Sequence, residues 1–438
     1  MKVVSSYAIE IKNIQKIFRQ TIKIYNDAIT FCVRCLENEW DSLQYLDKFG
    51  RYSLADSYIH NTRNNSAKYD FDTKFPKMPT YLRMSVINTA LGVLSSYHTN
   101  LEIWESNPSS GNPPRLQSKV HKLPTFYRGN MFKDDCEGDY CRLKLFVNND
   151  WNWVKVKLKH TDIMYIARHC QNAKMSCPTL ERRNKKYYLR FAFEETVSLD
   201  CTSLTEQRIL AVDMGINTDA VCSVMNIDGA ILGRKFINFP SDKDHLYHTL
   251  NKIKGIQQKY NNHNTDRLWR EATHTNTELS RKIAKSIVDY AVNQGVSVIV
   301  LEHLDFRGKI RGSKKQKLAL WRKKYIQQLV EHKAHKSGIR ISTVNPCNTS
   351  KLAFDGSGVA VRSEDAGFNN NKLCRFSNGK TYNCDLSASY NIGARYFIRE
   401  FRKSISEMRW SDIVAKVPEC QSGLQYTYST LIKINQVV

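Results

Sequence analysis

Three carboxylates stand out by where they fall in the chain. Asp213 closes the apolar run ILAV and is followed at once by Met214 and Gly215; Glu302 closes VSVIVL and is followed by His303, Leu304 and Asp305. Each therefore sits where a strand that reads as buried on both faces emerges into a turn. Asp385 lies at the start of a helical segment, NCDLSASYNIGARY. A carboxylate at the end of a buried strand is costly to desolvate unless a cation or hydrogen bonds compensate it. Taken singly, the three have ordinary alternatives: a turn residue, a strand-end ion pair and a helix cap. Taken together, two strand-end acids and one helix-start acid converge on one edge of a single sheet and supply the hard oxygen ligands that Mg²⁺ prefers. Two ions so held would polarise a scissile phosphate, activate water and stabilise the leaving oxygen, so phosphodiester hydrolysis is the implied reaction.

The elements that must position these acids follow from the hydrophobic pattern. RILAVDMG, AVCSVMNI and ILGRKFINF are three consecutive strands with turns at GINTD and NIDGA, an antiparallel meander. A long basic helical stretch over about 243–295 leads to the strand VSVIVLEHL, a helix through ALWRKKYIQQLVEHKAHKSG, the strand IRISTVNP and a final helix from Asp385 to about Lys403. The order βββ, α, β, α, β, α is that of an RNase H-like fold, with helices on both faces of a mixed sheet. Upstream, KVVSSYAIEIK alternates as a strand and residues 14–105 are helical in period. The turn-rich NPSSGNPPRL marks a boundary, and residues 116–200 read as β-rich, completing the sheet begun by the first strand. The helical segment is thus expected as an insertion in a β-barrel, giving an α/β nuclease unit joined to α and β parts.

The charge balance points to a polyanionic partner: 66 Lys plus Arg against 42 Asp plus Glu leave a formal net charge of +24. A surplus of that size is ordinarily offset by phosphate backbones. With 41% hydrophobic residues the chain is a folded one rather than disordered. No apolar run approaches the ~18 residues needed to cross a bilayer, and the opening residues lack a cleavable apolar core, so the expected location is cytoplasmic. Lys155, Lys157 and Lys159 alternate along WVKVKLK and share one face of a strand. The run 307–325 mixes Arg307, Lys309, Arg311, Lys314, Lys315 and Arg322 with Trp321 and Tyr325 directly after Glu302, which suits contact with a nucleic-acid strand entering the site. A solvated helix face is the plainer alternative for that run.

The blocks RILAVDMGINTDAVCSV, VSVIVLEHLDFRG, GIRISTVNPCNTSK and YNCDLSASYNIGARY resemble the RuvC segments of TnpB, the transposon-encoded RNA-guided nuclease, and of its compact type V CRISPR descendants. The likeness covers about residues 206–400 by motif; the N-terminal half matches in size, order and texture. It implies that residues 1–12 and 116–205 form a wedge domain gripping guide RNA, 13–115 a helical recognition lobe, 206–344 and 385–438 the RuvC nuclease, and 345–384 a target-nucleic-acid-binding insertion. It places the family's catalytic acids on Asp213, Glu302 and Asp385. The implied activity pairs a guide RNA with one DNA strand beside a short flanking motif and cuts both strands, the partners being guide RNA, target duplex and its displaced strand. In a bacterial cell such a protein associates with the nucleoid when on target, and a homodimer on the RNA is left open. A cleavage-deficient guided repressor and an unguided transposase or recombination nuclease of the same fold are the alternatives.

The chain departs from the family between the second and third acids, where relatives carry a zinc ribbon with two CxxC pairs. Here Cys347, Cys374 and Cys384 offer three thiolates at long spacing, whereas a structural zinc site wants four ligands in short pairs, so no zinc is expected. Cys32 and Cys35, in a helical stretch, and Cys136 and Cys141, flanking a turn, are isolated pairs and expected to be structural.

Overall fold

The computed structural model describes all residues except 13–15, 109–110, 118, 135–137, 216, 260–263, 304–321 and 370–371. The chain divides into two compact units, Lys2–Thr196 and Val197–Val438, the latter including Met1.

In the unit Lys2–Thr196, strands β1 (Lys2–Lys12), β2 (Phe132–Lys133), β3 (Tyr140–Val147), β4 (Asp150–Leu158), β5 (Lys174–Met175), β6 (Thr179–Arg183) and β7 (Lys186–Thr196) form one sheet in the order β2-β3-β4-β1-β7-β5, with β6 also on β7. The first strand does complete this sheet: it runs antiparallel to β7 from Lys2↔Thr196 to Glu10↔Tyr188, and its last residues pair with β4 at Ile11↔Leu158. Tyr187, Leu189, Phe191 and Phe193 alternate inward along β7, the period of a strand with one buried face. They meet Phe18, Tyr25, Ile29 and Leu36 of the helix Phe18–Glu37 and Leu82, Val86 and Ile87 of the helix Thr80–Ser106 in one apolar core. Cys32 and Cys35 are buried on the first of these helices. One expectation changes here. Among the described residues the sheet is open rather than a closed barrel: β2 forms one edge and β5 and β6, both on β7, form the other, and neither of these pairs with β2. The β-rich segment also contains the helix His160–His169, whose basic C-terminal turn favours a helix end.

In the unit Val197–Val438, β8 (Ile209–Asp213), β9 (Ala220–Met225), β10 (Ile231–Ile237), β11 (Val298–Glu302) and β12 (Arg340–Val344) form a sheet in the order β10-β9-β8-β11-β12. β8, β9 and β10 are antiparallel neighbours, and β11 is parallel to both β8 and β12. Successive residues of the apolar runs enter opposite layers, which is why both strands read as buried throughout. Ile209, Ala211, Val298 and Val300 pack with the helix Cys384–Ser404 in one core; Leu210, Val212, Ile299 and Leu301 pack with the helices Asp266–Asn293 and Lys323–Lys336 in the other. Gly393 lets the helix Cys384–Ser404 approach the sheet: a Cβ there would lie 3.3 Å from Ala211 Cβ and 3.1 Å from Met225 Cε. That helix is not the final one, because Glu407–Lys416 and Tyr428–Val437 follow it. A small antiparallel sheet of β13 (Val361–Arg362), β14 (Leu373–Arg375) and β15 (Thr381–Asn383) precedes Asp385 and closes over Ala353, Ala360, Cys374, Phe376 and Cys384. Cys347 lies exposed, away from that cluster. Among the described residues no helix is long and apolar enough to cross a membrane.

Candidate active site

Asp213 and Glu302 leave adjacent parallel strands at the same end. The register pairs Ala211 with Val300, and each acid lies two residues further on. Beyond Asp213 the backbone turns tightly: a Cβ on Gly215 would lie 2.8 Å from the Thr218 carbonyl oxygen, so the turn has room only for glycine. This turn sets Thr218, whose side chain hydrogen-bonds the Asp385 carboxylate. Asp385 stands in the first turn of the helix Cys384–Ser404, but the cap is Asn383, whose side-chain oxygen accepts from Leu386 N at 2.9 Å. The capping role is therefore taken, and Asp385 is released to face the other acids.

The electrostatics show that the three carboxylates share one field. Burial, then the charges of Glu302 and Asp385, push Asp213 up from its ordinary 3.8 to about 8, against the opposing pull of Lys323 and Arg362. Burial likewise raises Asp385, offset by Arg362, the Thr218 hydrogen bond and Lys372. Glu302 is held from three sides. Its Oε2 accepts from Lys323 Nζ at 3.0 Å, its Oε1 from Thr349 Oγ1 at 2.6 Å, and its backbone oxygen from Gln327 Nε2 at 2.8 Å. The loop carrying Thr349 is itself fixed by Asn391 Nδ2, which donates to the carbonyls of Thr349 and Leu352, both at 2.9 Å. Arg395, buried on the same helix, donates to the carbonyls of Asn345, Cys347, Leu424 and Tyr426 and so pins the loop that follows β12.

Among the described residues, no three or more His, Cys, Asp or Glu side chains are gathered around one point so as to hold a metal ion. The donor chemistry nevertheless suits magnesium: the groups are all carboxylates, and the charges of Glu302 and Asp385 add to burial in raising Asp213.

The other residues singled out in the sequence fall unequally. Lys155 and Lys157 are exposed on one face of β4, directly opposite Arg142 and Tyr140 of β3; Trp153 and Lys144 continue that face, and Lys133 of β2 lies opposite Arg142. Lys155 Nζ stands 4.4 Å from the centre of the Tyr140 ring and Lys133 Nζ 4.8 Å from Trp153. Lys159 does not belong with them: it lies past the end of β4 and pairs with Asp162 at 3.3 Å. Arg307, Lys309, Arg311, Lys314 and Lys315 lie outside the described residues, as does Cys136. Arg322 precedes the helix Lys323–Lys336 and donates to Thr277 Oγ1 at 2.7 Å. Sequence reasoning missed Lys323, Thr349, Thr218 and Arg362. The first is one cation in a run of many; the second lies in the quoted motif NPCNTSK, which was the available signal.

The sheet order, with an antiparallel meander on one side and parallel strands on the other, defines the unit Val197–Val438 as RNase H-like in fold. A family model described as the Aq_aa04 family matches residues 5–147. The chain is similar to the TnpB-like protein aq_aa05 of Aquifex aeolicus (strain VF5), at 25% identity over 232 residues, 48% of this chain and 74% of that relative. This bears out the resemblance carried by the RuvC-like motifs. Solved structures that it resembles include a Cas12f1–sgRNA–target DNA complex, at a TM-score of 0.48 and 16% identity over 86% of this chain and 81% of that one. Another is Alicyclobacillus acidoterrestris C2c1 in complex with single-guide RNA, at a TM-score of 0.46 and 10% identity over 87% of this chain and 68% of that one.

Proposed function

We propose that the protein is an RNA-guided DNA endonuclease: it pairs a guide RNA with target DNA beside a short flanking motif and hydrolyses phosphodiester bonds at a single site made by Asp213, Glu302 and Asp385. The observation that carries this reading is the placement of those carboxylates at the ends of adjacent strands and the start of a helix, where burial first, and the charges of Glu302 and Asp385 next, lift Asp213 to about 8. An acid cluster of this kind is costly without a cation and is typical of functional sites.

Asp213, Glu302 and Asp385 are the residues that would hold two magnesium ions. When bound, the ions supply charge neutralisation at the scissile phosphate and lower the pKa of attacking water. The chain's own residues supply the placement: Thr218 orients Asp385, Thr349 orients Glu302, and Arg362 adds positive charge beside Asp213 and Asp385. Residues 1–12 and 116–205 serve as the wedge that grips guide RNA, and residues 13–115 as the recognition lobe. The face of Tyr140, Arg142, Lys144, Trp153, Lys155 and Lys157 mixes cations with rings, which suits phosphate contact and base stacking. The TnpB-like relative supports the coarser reading of the chain as an RNA-guided nuclease.

The test is cleavage of matched DNA by the purified protein with its co-purifying RNA in magnesium. Asp213→Ala is expected to abolish cutting while guide-directed binding persists. Undiminished cutting by that variant would refute the assignment, and the absence of a discrete bound RNA would refute the guided reading.

A further inference from the structure

The Glu302–Lys323 pair is unusual in its setting. Both side chains are nearly closed off from solvent, at 9% and 6% exposure, and the ammonium is 3.0 Å from the carboxylate. Lys323 opens the helix Lys323–Lys336, so its charge lies at the end where the helix dipole disfavours a cation. Lysine is seldom buried so fully without a partner that requires it. A buried ion pair contributes little net stability compared with an apolar pair of the same volume, whereas removal of one partner strands the other charge. The acids therefore account for the lysine's position better than core packing does. Thr349 holds the other oxygen of Glu302, so each oxygen already accepts one hydrogen bond, and a metal ion that takes a remaining lone pair must sit close to the Lys323 ammonium.

We propose that Lys323 is the resident counter-cation of the acidic site: it neutralises Glu302 in the metal-free protein and competes with divalent metal for that carboxylate. Loading then sets the charge of the metal against that of the ammonium at the same carboxylate. Lys323 acts through Glu302 and is in this sense a positioning residue. The proposal rests on the reading of Asp213, Glu302 and Asp385 as metal ligands.

Calorimetric titration of Mn²⁺ into the full chain with its bound RNA tests both, together with thermal unfolding in EDTA and in saturating Mn²⁺. The heat lost in Asp213→Ala identifies binding at the acids; if none is lost, the metal reading falls and this proposal with it. If it is lost, Lys323→Met is expected to lower the half-saturating Mn²⁺ concentration by on the order of tenfold, because a competing charge has gone. The same variant is expected to melt at a lower temperature in EDTA, with a larger rise on adding Mn²⁺. Affinity that is unchanged or weaker, or an EDTA melting temperature equal to that of the unaltered protein, would make Lys323 a purely structural residue and overturn the proposal. Lys323→Gln, which keeps a donor to Glu302 without the charge, should show the same tightening; should either variant fold only in Mn²⁺, that too supports the competition.

Discussion

The Thr349 hydroxyl donates to Oε1 of Glu302 at 2.6 Å, and both residues are buried. This bond joins the loop after β12 to the end of β11, so it fixes the second acid from outside its own strand. Replacing Thr349 by valine keeps the shape and removes the donor. A hydrogen bond to a charged group is worth about 1.5–3 kcal/mol, so Thr349→Val should lower the denaturation free energy by roughly that amount and reduce cleavage, while Thr349→Ser retains most of both. Denaturant midpoints equal for Val and Ser would show that the bond carries no weight.

Asp213 ties stability to pH. Its carboxyl is raised to about 8 in the fold from an ordinary 3.8, so the folded state favours the protonated form. The stability this contributes is whole below the ordinary carboxylate range and is lost as pH rises through about 8. In a chelator the melting temperature should therefore fall as pH is raised from about 5 to about 9. Asp213→Asn, lacking the titrating group, should give a flatter profile with a higher melting temperature at the alkaline end and no cleavage. Parallel profiles for the two proteins would remove the linkage.

The strands that carry the acids were legible because their apolar runs are short, unbroken and ended by a carboxylate, and the structure sends their alternate residues into two separate layers. The placement of Asp385 at a helix start was legible too, although the sequence could not say that Asn383 would serve as its cap. What holds the acids was harder to see. Lys323 and Thr349 reach Glu302 from positions 21 and 47 residues away, separations at which no local period operates. The barrel expectation failed for a similar reason: closure depends on how edge strands meet, and among the described residues β2 at one edge does not pair with β5 or β6 at the other. Lys159 was misjudged because strict alternation was extended one residue past the end of β4, to where the chain turns into a helix and Asp162 becomes its neighbour.

The β3–β4 face gives a salt-dependent prediction. Lys155 and Lys157 are exposed and flank Tyr140 at 4.4 and 5.9 Å. If they neutralise RNA phosphates, changing both to glutamine should reduce the slope of log affinity against log salt by about one to two. Tyr140→Ala should instead weaken RNA binding by about 1–3 kcal/mol with little change in slope, the behaviour of a stacking contact. Filter binding across a salt series separates the two; an unchanged slope in the double lysine variant would take this face out of the RNA interface.

Gly393 tests how closely the helix bearing Asp385 must lie on the sheet. Glycine inside a helix ordinarily costs up to about 1 kcal/mol relative to alanine, so an open site would gain stability from Gly393→Ala. Here the added Cβ meets Met225 Cε at 3.1 Å and Ala211 Cβ at 3.3 Å. The methionine end can swing aside, but Ala211 is fixed on β8, two residues before Asp213. The contact should cancel the propensity gain and leave Gly393→Ala less stable by about 1 kcal/mol, with Gly393→Val losing about 2–3. Because Asp385 lies about two turns earlier on the same helix, any outward shift also separates it from Asp213, and cleavage should fall further than stability alone explains. Shrinking the fixed neighbour should relieve both effects, so Gly393→Ala combined with Ala211→Gly is expected to recover cleavage relative to Gly393→Ala alone. Gly393→Ala that proved more stable than the unaltered chain would show that the helix has room to spare.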